Sequence, residues 1–297
     1  MIFKWIVQAN DKKIVRGFLN SKSFSTSQLS KIKNHDGHIY VNKKERYLNY
    51  QMTVGDVIIV QLPKESGNDI LEAVDGHLDI KYEDKHYLIV DKPAGVASLP
   101  ARSKSTPTMA NFVKAYLQKN GESDAIHVVT RLDRDTSGLM IFAKKSLSHS
   151  RLGENIHSNS FKKQYIAIVQ NPINTTGLQE INLPIGVSDD FYMRREVRDD
   201  GKDSLTRYEV VENYPTGSQV KVDLITGRTH QIRVHFSAIG HPLFGDSLYA
   251  KEPTTLINRQ ALHCFKLSFI HPFTQEIVEV ESQVPIDIRE LIHELKE

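Results

Sequence analysis

The chain has 297 residues, 39% hydrophobic and 25% charged, and its 38 Lys and Arg nearly balance 36 Asp and Glu. This is the composition of a globular protein, and the length predicts two domains. The single cysteine, Cys264, excludes an intramolecular disulfide framework and a Cys-based zinc site. Because apolar runs are also far shorter than the roughly 20 residues of a membrane helix, we expect a cytoplasmic protein outside the membrane.

The charge is distributed unevenly along the chain. Residues 1–64 contain eleven Lys or Arg and four Asp or Glu, a net charge of +7, whereas the remaining 27 basic and 32 acidic residues give −5. A small basic module beside a larger acidic body is typical of a protein that meets a polyanion such as nucleic acid. A solvated basic face without a function is the alternative.

In chain order, the first sixty residues predict a compact α/β module. Apolar residues alternate over 3–7, which predicts a strand, and recur at helical spacing over 14–19. A second helix is expected to begin at the Ser25-Thr26-Ser27 cap and to end at Asp36-Gly37. Strands are predicted at 39–41 and 57–60, and the polar, acidic stretch 65–76 predicts a linker.

Residues 77–297 contain more strand signals than helix signals. Strands are predicted at 78–82, 87–90, 138–143, 164–169, 206–211, 219–224, 261–269 and 277–280. Helices are predicted at 109–117, 147–156, 229–239 and 286–295. Because strands predominate and short turns join several of them, we predict an α+β domain with a mixed, largely antiparallel sheet and flanking helices.

Two polar clusters are candidates for chemistry. The first, Thr130 to Gly138, places two carboxylates and two guanidiniums at the entrance of an apolar strand. The second, Thr226 to His235, gathers basic side chains at a helix start, which Thr229 can cap and where backbone N–H groups favour anions. A turn that satisfies its own backbone is the alternative for the first cluster, and surface ion pairs are the alternative for the second.

Cofactor signals are absent from the sequence. No Walker loop, nucleotide-binding glycine triplet or nucleophile elbow occurs in the chain. His230, His235 and His241 match no zinc spacing. We therefore expect neither a metal nor a nucleotide cofactor.

The clusters belong to a series of motifs that resembles the RluA-type pseudouridine synthases. Arg131-Leu132-Asp133 followed by Asp135-Thr136-Ser137-Gly138 is similar to the signature of that family. The other matching segments lie in family order along the chain, one before this signature at 91–95 and three after it at 163–167, 226–235 with 240–249, and 262–272. The first sixty residues resemble the RNA-binding module of ribosomal small-subunit protein four, through 25–33, Gly37, 41–42 and 55–56.

The resemblance implies a reaction and a set of residues. A pseudouridine synthase isomerises uridine within structured RNA without a cofactor, and large-subunit ribosomal RNA is the first expected substrate, ahead of transfer RNA. Asp133 would be the essential carboxylate, either attacking covalently or abstracting a sugar proton, and Arg233 its partner. Tyr165 would stack on the uracil and take the ring proton.

The remaining implied residues contact RNA. Because the target base must be flipped out of its stack, Arg131 would fill the gap that it leaves. The residues expected to contact the RNA around the site and on the module are Lys92, Arg228, His230, Lys12, Arg16, Lys31, Lys33 and Lys43. We expect a monomer. A non-catalytic RNA-binding protein, such as a ribosome-assembly factor, and a base-removing enzyme are the competing hypotheses.

Overall fold

The computed structural model describes residues 2–63, 65, 71–100, 106–122, 125–156, 158, 160–251 and 254–297. Part of the predicted linker, residues 66–70, lies outside the described residues, as does Lys64 at the end of the predicted module. Within the described ranges, every helix is too short or too polar to cross a bilayer.

The N-terminal part of the chain forms its own sheet. The strands β1 (Ile2–Ile6), β2 (His38–Val41), β3 (Lys44–Glu45) and β4 (Val57–Gln61) pair antiparallel in the order β1-β4-β2-β3. The helices α1 (Val15–Ser21) and α2 (Thr26–Asn34) complete the module. Ser25 and Gln28 form a reciprocal capping box before α2, which confirms the predicted helix start.

The larger part of the chain is built on a ten-stranded sheet. Its strands are β5 (Asp79–Glu83), β6 (Tyr87–Lys92), β7 (His127–Val128), β8 (Ser137–Ala143), β9 (Lys162–Gln170), β10 (Gln179–Asn182), β13 (Leu205–Tyr214), β14 (Gly217–Leu224), β15 (Leu262–Ile270) and β16 (Ile277–Glu281). The order is β10-β13-β14-β9-β15-β8-β6-β5, with β16 beside β15 and β7 beside β8. Within the described residues, the β15–β8 pair is parallel and the other strand pairs of this sheet are antiparallel, which confirms the predicted mixed, largely antiparallel sheet.

Among the described residues of this part, the other elements are a small hairpin and four helices. The hairpin consists of β11 (Ile185–Val187) and β12 (Arg195–Val197). The helices are α3 (Met109–Lys119), α4 (Ser146–Asn155), α5 (Gln231–Ala238) and α6 (Ile286–Glu294). The predicted strands and helices all occur, with ends that shift by a few residues. The sequence analysis did not predict β3, β7, β10, β11 and β12, which have two to four residues and no clear apolar alternation.

The two sheets have separate apolar cores that meet at α4. Leu147 of α4 is fully buried within the core of the N-terminal module. The side chain of Gln28 donates to the hydroxyl of Ser146 at 2.8 Å, and Ser23 donates to Glu154 at 2.6 Å. The described end of the predicted linker contacts α3, because the side-chain amide of Asn111 donates to the backbone carbonyl of Glu72 at 2.8 Å. The domain boundaries themselves stay a prediction.

Candidate active site

The loop that carries Asp133 is fixed by hydrogen bonds on both sides. The hydroxyl of Ser98 donates to the Leu132 carbonyl at 2.6 Å and accepts the Leu132 amide at 3.1 Å. The ammonium of Lys92 donates to the Arg134 carbonyl at 2.8 Å, and the backbone amide of Thr136 closes a turn onto the Asp133 carbonyl at 3.1 Å. The carboxylate is therefore presented from a backbone that has little freedom to move.

Arg233 joins this carboxylate to a second one. Its Nη1 donates to Asp133 Oδ2 at 3.1 Å, while Nε and Nη2 donate to the two oxygens of Asp246 at 2.7 and 2.8 Å. The Asp246 side chain has no exposed surface, whereas 26% of the Asp133 side chain is exposed. Although burial opposes it, hydrogen bonds and charge from Asp246 and Asp133 raise the pKa of Arg233 above its usual value. Asp246 orients the guanidinium, and Asp133 remains accessible.

His230 approaches the same carboxylate oxygen of Asp133 that Arg233 contacts. Its Nδ1 is 2.8 Å from the Tyr249 hydroxyl, which also accepts the backbone amide of Arg195 at 2.9 Å. The tautomer of His230 sets the direction of this bond: the hydroxyl donates when Nδ1 is unprotonated, and Nδ1–H donates when it is protonated. Nε2 is 3.8 Å from Asp133 Oδ2, too far for a hydrogen bond. Burial lowers the pKa of His230, which favours the neutral ring.

The start of α5 differs from the sequence prediction. The helix begins at Gln231 and is preceded by His230 in the left-handed region, with φ of 58°, so Thr229 is not its cap. The buried Gln231 side chain instead accepts from the Arg228 amide at 3.0 Å and the Thr226 hydroxyl at 2.8 Å. These bonds fold the preceding loop back on α5 and turn His230 toward Asp133.

Tyr165 lies in the sheet beneath this group. Strand β9 places Tyr165 opposite Cys264 of β15, and 4% of the tyrosine is exposed. Burial raises the pKa of the Tyr165 hydroxyl well above its usual value, with further contributions from Cys264 and Asp133. Burial also raises the pKa of the Cys264 thiol to about 12, so both groups are protonated at neutral pH.

Gly138 allows the close approach of two strands at this point. It has φ of 111°, and a Cβ at this position would overlap the carbonyl oxygen of Cys264. Any other residue would separate β8 from β15 and displace the loop that carries Asp133.

The cleft above Tyr165 collects most of the residues that the sequence proposed for the site. Its volume is about 60 Å³, and its wall includes Asp133, Tyr165, Arg233, Arg131, Arg228 and His230. Arg131 and Arg228 are exposed at the cleft. Among the described residues, no group of three or more His, Cys, Asp or Glu side chains gathers as a metal site would.

Known proteins are similar to this chain in sequence and in fold. The model of a family described as RNA pseudouridylate synthase matches residues 86–238, just over half of the chain. The uncharacterized RNA pseudouridine synthase YjbO of Bacillus subtilis is 37% identical over 94% of this chain and 98% of its own length. The chain belongs to the RNA pseudouridylate synthase family.

Two other relatives extend the comparison. The ribosomal large subunit pseudouridine synthase D of Pseudomonas aeruginosa is 35% identical over 82% of this chain and 79% of its own length. The structure of human RNA pseudouridylate synthase domain containing 1 is 26% identical with a TM-score of 0.57, and the match covers 70% of this chain and 83% of that one.

Lys92 of this synthase is buried, whereas a lysine that contacts an RNA phosphate must have an accessible ammonium group. Its side chain is fully buried, and the ammonium donates to the carbonyls of Pro93, Val96 and Arg134 at 2.7 to 2.8 Å. Burial opposes the charge and lowers the pKa of Lys92 to about 7, whereas the three carbonyl contacts are those of the charged ammonium, which alone has three donors. We correct the prediction: three carbonyls take all three donors, so Lys92 ties the first motif to the Asp133 loop.

The structure also assigns roles that the sequence left open. Asp246 and Tyr249 occur in the motif that extends from Arg233, but only the fold brings them onto Arg233 and His230. His235 is buried and bonds to Thr206 and to the Leu183 carbonyl, which makes it a structural residue. The five basic residues predicted on the module are all exposed: Lys12, Arg16, Lys31, Lys33 and Lys43.

Proposed function

We propose that this synthase isomerises uridine to pseudouridine in large-subunit ribosomal RNA. The observation that carries the proposal is the accessible carboxylate of Asp133, held by Arg233 at 3.1 Å on a fixed loop within a pseudouridylate synthase fold. The 35% identical relative from Pseudomonas aeruginosa is named for the ribosomal large subunit and supports this choice of RNA. Transfer RNA is the second candidate substrate.

The reaction exchanges one glycosidic bond for another. The bond from the ribose to the uracil nitrogen breaks, the base turns, and a bond to its ring carbon five forms; that carbon loses its proton and the released nitrogen gains one, so the composition is unchanged. In our proposal, Asp133 begins the reaction by attacking the sugar or by removing a sugar proton. The arrangement of Arg233 and Asp246 supports either route, because the guanidinium stabilises a carboxylate anion in a partly buried cleft.

Tyr165 is proposed as the surface on which the uracil stacks. Its ring is part of the wall of the cleft, and burial keeps its hydroxyl protonated. A protonated phenol is a hydrogen-bond donor and a poor base, which favours stacking as its main role. For Tyr165 to take the ring proton, its hydroxyl would first have to lose its own.

The exposed arginines of the cleft are proposed to contact the RNA. A stacked uridine cannot reach a cleft of about 60 Å³, so the base must be flipped, at a cost of a few kcal/mol. The planar guanidinium of Arg131 suits the gap that the base leaves, and Arg228 suits a phosphate. The basic module supplies further phosphate contacts, which give affinity that depends on salt.

The proposal has a direct test. The purified protein is incubated with transcripts of large-subunit ribosomal RNA and with transfer RNA, and pseudouridines are mapped in each. We expect one or a few uridines of the ribosomal transcript to be converted without a change in mass. Conversion in transfer RNA alone would overturn the proposed substrate, and loss of a base would indicate a base-removing enzyme. The same proposal includes a cytoplasmic location, supported by the ribosomal substrate, and a monomer, which size-exclusion chromatography tests.

A further inference from the structure

A second cavity, larger than the cleft at Asp133, opens on the N-terminal module. Its volume is about 450 Å³, within the range of about 300–1,000 Å³ that is usual for ligand sites. Its wall combines α1, the end of α2 and the segment 45–49. None of its residues is part of the cleft at Asp133.

The cavity has a basic wall whose charges are not neutralised. Arg16, Lys33 and Arg46 contribute to it, and within the described part of the chain none of them forms a salt bridge. Glu45 is the one acid of this wall, and its carboxylate is bonded to His38 at 2.7 Å. Three unpaired cations around one cavity favour an anionic ligand.

Arg46 also has an unsatisfied donor. Its Nε is buried and has no hydrogen-bond partner among the described residues, a state that costs about 1–3 kcal/mol. Its guanidinium lies over the ring of Tyr50, with 4.7 Å between the guanidinium carbon and the ring centroid. The residue that carries this buried donor also lines the cavity.

An aromatic side chain completes the wall. Tyr47 lines the cavity and is 80% exposed, so its ring is open to a ligand. The segment that carries it is held by backbone bonds: the Arg46 amide to the Ile39 carbonyl at 2.8 Å, and the Arg16 amide to the Leu48 carbonyl at 2.9 Å. A wall that is already fixed loses little entropy when a ligand binds.

We infer that this cavity binds one unpaired nucleotide of the RNA substrate. Tyr47 stacks on the base, and Arg16, Lys33 and Arg46 bind the adjoining phosphate. Bases of a continuous duplex are stacked and cannot enter, so the cavity selects a loop or a bulge. The inference rests on the proposed RNA-binding role of the module and deepens it, because the module then contributes to the choice of site as well as to affinity.

The test compares two RNA probes with the full-length protein. Fluorescence anisotropy gives the affinity for a labelled RNA hairpin with an unpaired loop and for a blunt RNA duplex, each over a series of salt concentrations. Tyr47→Ala is expected to weaken hairpin binding by about 5- to 150-fold, the usual range for one stacked base, with the salt slope and duplex affinity unchanged. Lys33→Ala is expected to lower the salt slope by about 0.7 to 0.9, the amount for one phosphate.

Two control variants carry the same chemical change outside the cavity. Tyr192→Ala removes a ring that is 76% exposed, and Lys4→Ala removes an exposed lysine of β1. Equal affinity of Tyr47→Ala and wild type for the hairpin would overturn the inference, as would an equal loss on both probes. Pseudouridine formation by the wild type is measured in parallel: its absence in every RNA refutes the proposed function, whereas its presence beside an unaffected Tyr47→Ala refutes this inference alone.

Discussion

The substitution Asp246→Asn tests how the site holds Arg233. The substitution keeps the shape of the side chain and replaces the carboxylate, which accepts two hydrogen bonds from the guanidinium at 2.7 and 2.8 Å, by a neutral amide. Removing one partner of a buried ion pair costs about 3–5 kcal/mol, and because Asp133 remains as a second anion we expect the lower limit, about 3 kcal/mol. An unfolding entropy of about 2.1 cal/mol/K per residue gives about 0.6 kcal/mol/K for the 297 residues, so a loss of about 3 kcal/mol should lower Tm by about 5 °C.

Activity should fall as well, because the guanidinium loses the contact that sets its orientation. A displacement of about 1 Å at a reacting group costs about 10²-fold, and we expect a loss of that order in kcat/KM for pseudouridine formation. The matched control is Asp200→Asn, since Asp200 makes the same two-bond contact with Arg198 on the exposed hairpin. Its Tm and activity should be those of the wild type. If Asp246→Asn behaved like this control, Asp246 would not be the residue that orients Arg233.

Four further experiments probe other parts of the molecule. Asp133→Asn should lower pseudouridine formation by at least about 10³-fold while Tm and RNA affinity stay near wild type, and turnover by this variant would reject Asp133 as the essential carboxylate. Replacing five exposed basic residues of the module by alanine should lower the salt slope of RNA binding by up to about 4, and an unchanged slope would remove the module from the interface; the residues are Lys12, Arg16, Lys31, Lys33 and Lys43. Lys92→Met should cost about 3 kcal/mol of stability, because three carbonyls lose their donor, and leave the salt slope unchanged; a slope lower by about one would restore the phosphate contact. Burial lowers the pKa values of His86 and His263 from 6.5 to about 4, so between these values the unfolded chain binds protons that the folded chain does not. The free energy of unfolding should therefore decrease as the pH is lowered from 6.5 to about 4, by about 1.4 kcal/mol per pH unit for each histidine. Urea denaturation over this pH range should show a smaller decrease for His86→Phe than for the wild type.

The elements with long periodic patterns were predictable because their signals are local. The apolar run of β8 and the cap at Ser25 each lie within a few residues of the structure that they specify. The hairpin of β11 and β12 has no comparable signal, since its three-residue strands are stabilised by packing against α5. The sequence placed the start of α5 at Thr229 because the observed start depends on contacts that are not local. The side chain of Gln231 forms hydrogen bonds with the backbone of Leu205 and Arg228.

The site divides in a similar way. The sequence named Asp133, Tyr165 and Arg233 through motifs whose order resembles a family, and the fold brings all three to one cleft. The sequence could not distinguish a lysine that contacts phosphate from one that is buried, because Lys92 is satisfied by carbonyls from two separate loops.

By itself, then, the sequence determined which segments form helices and long strands, where the basic charge is concentrated, and which motifs carry the chemistry. Those properties depend on neighbouring residues and on composition. Tertiary structure alone decided that Asp246 orients Arg233 and that His230 contacts Tyr249 while its other ring nitrogen points to Asp133. It also decided that the module has a basic cavity lined by Tyr47. The reason is physical: hydrogen bonds and burial depend on distances of a few ångströms between residues far apart in the chain, and folding sets those distances.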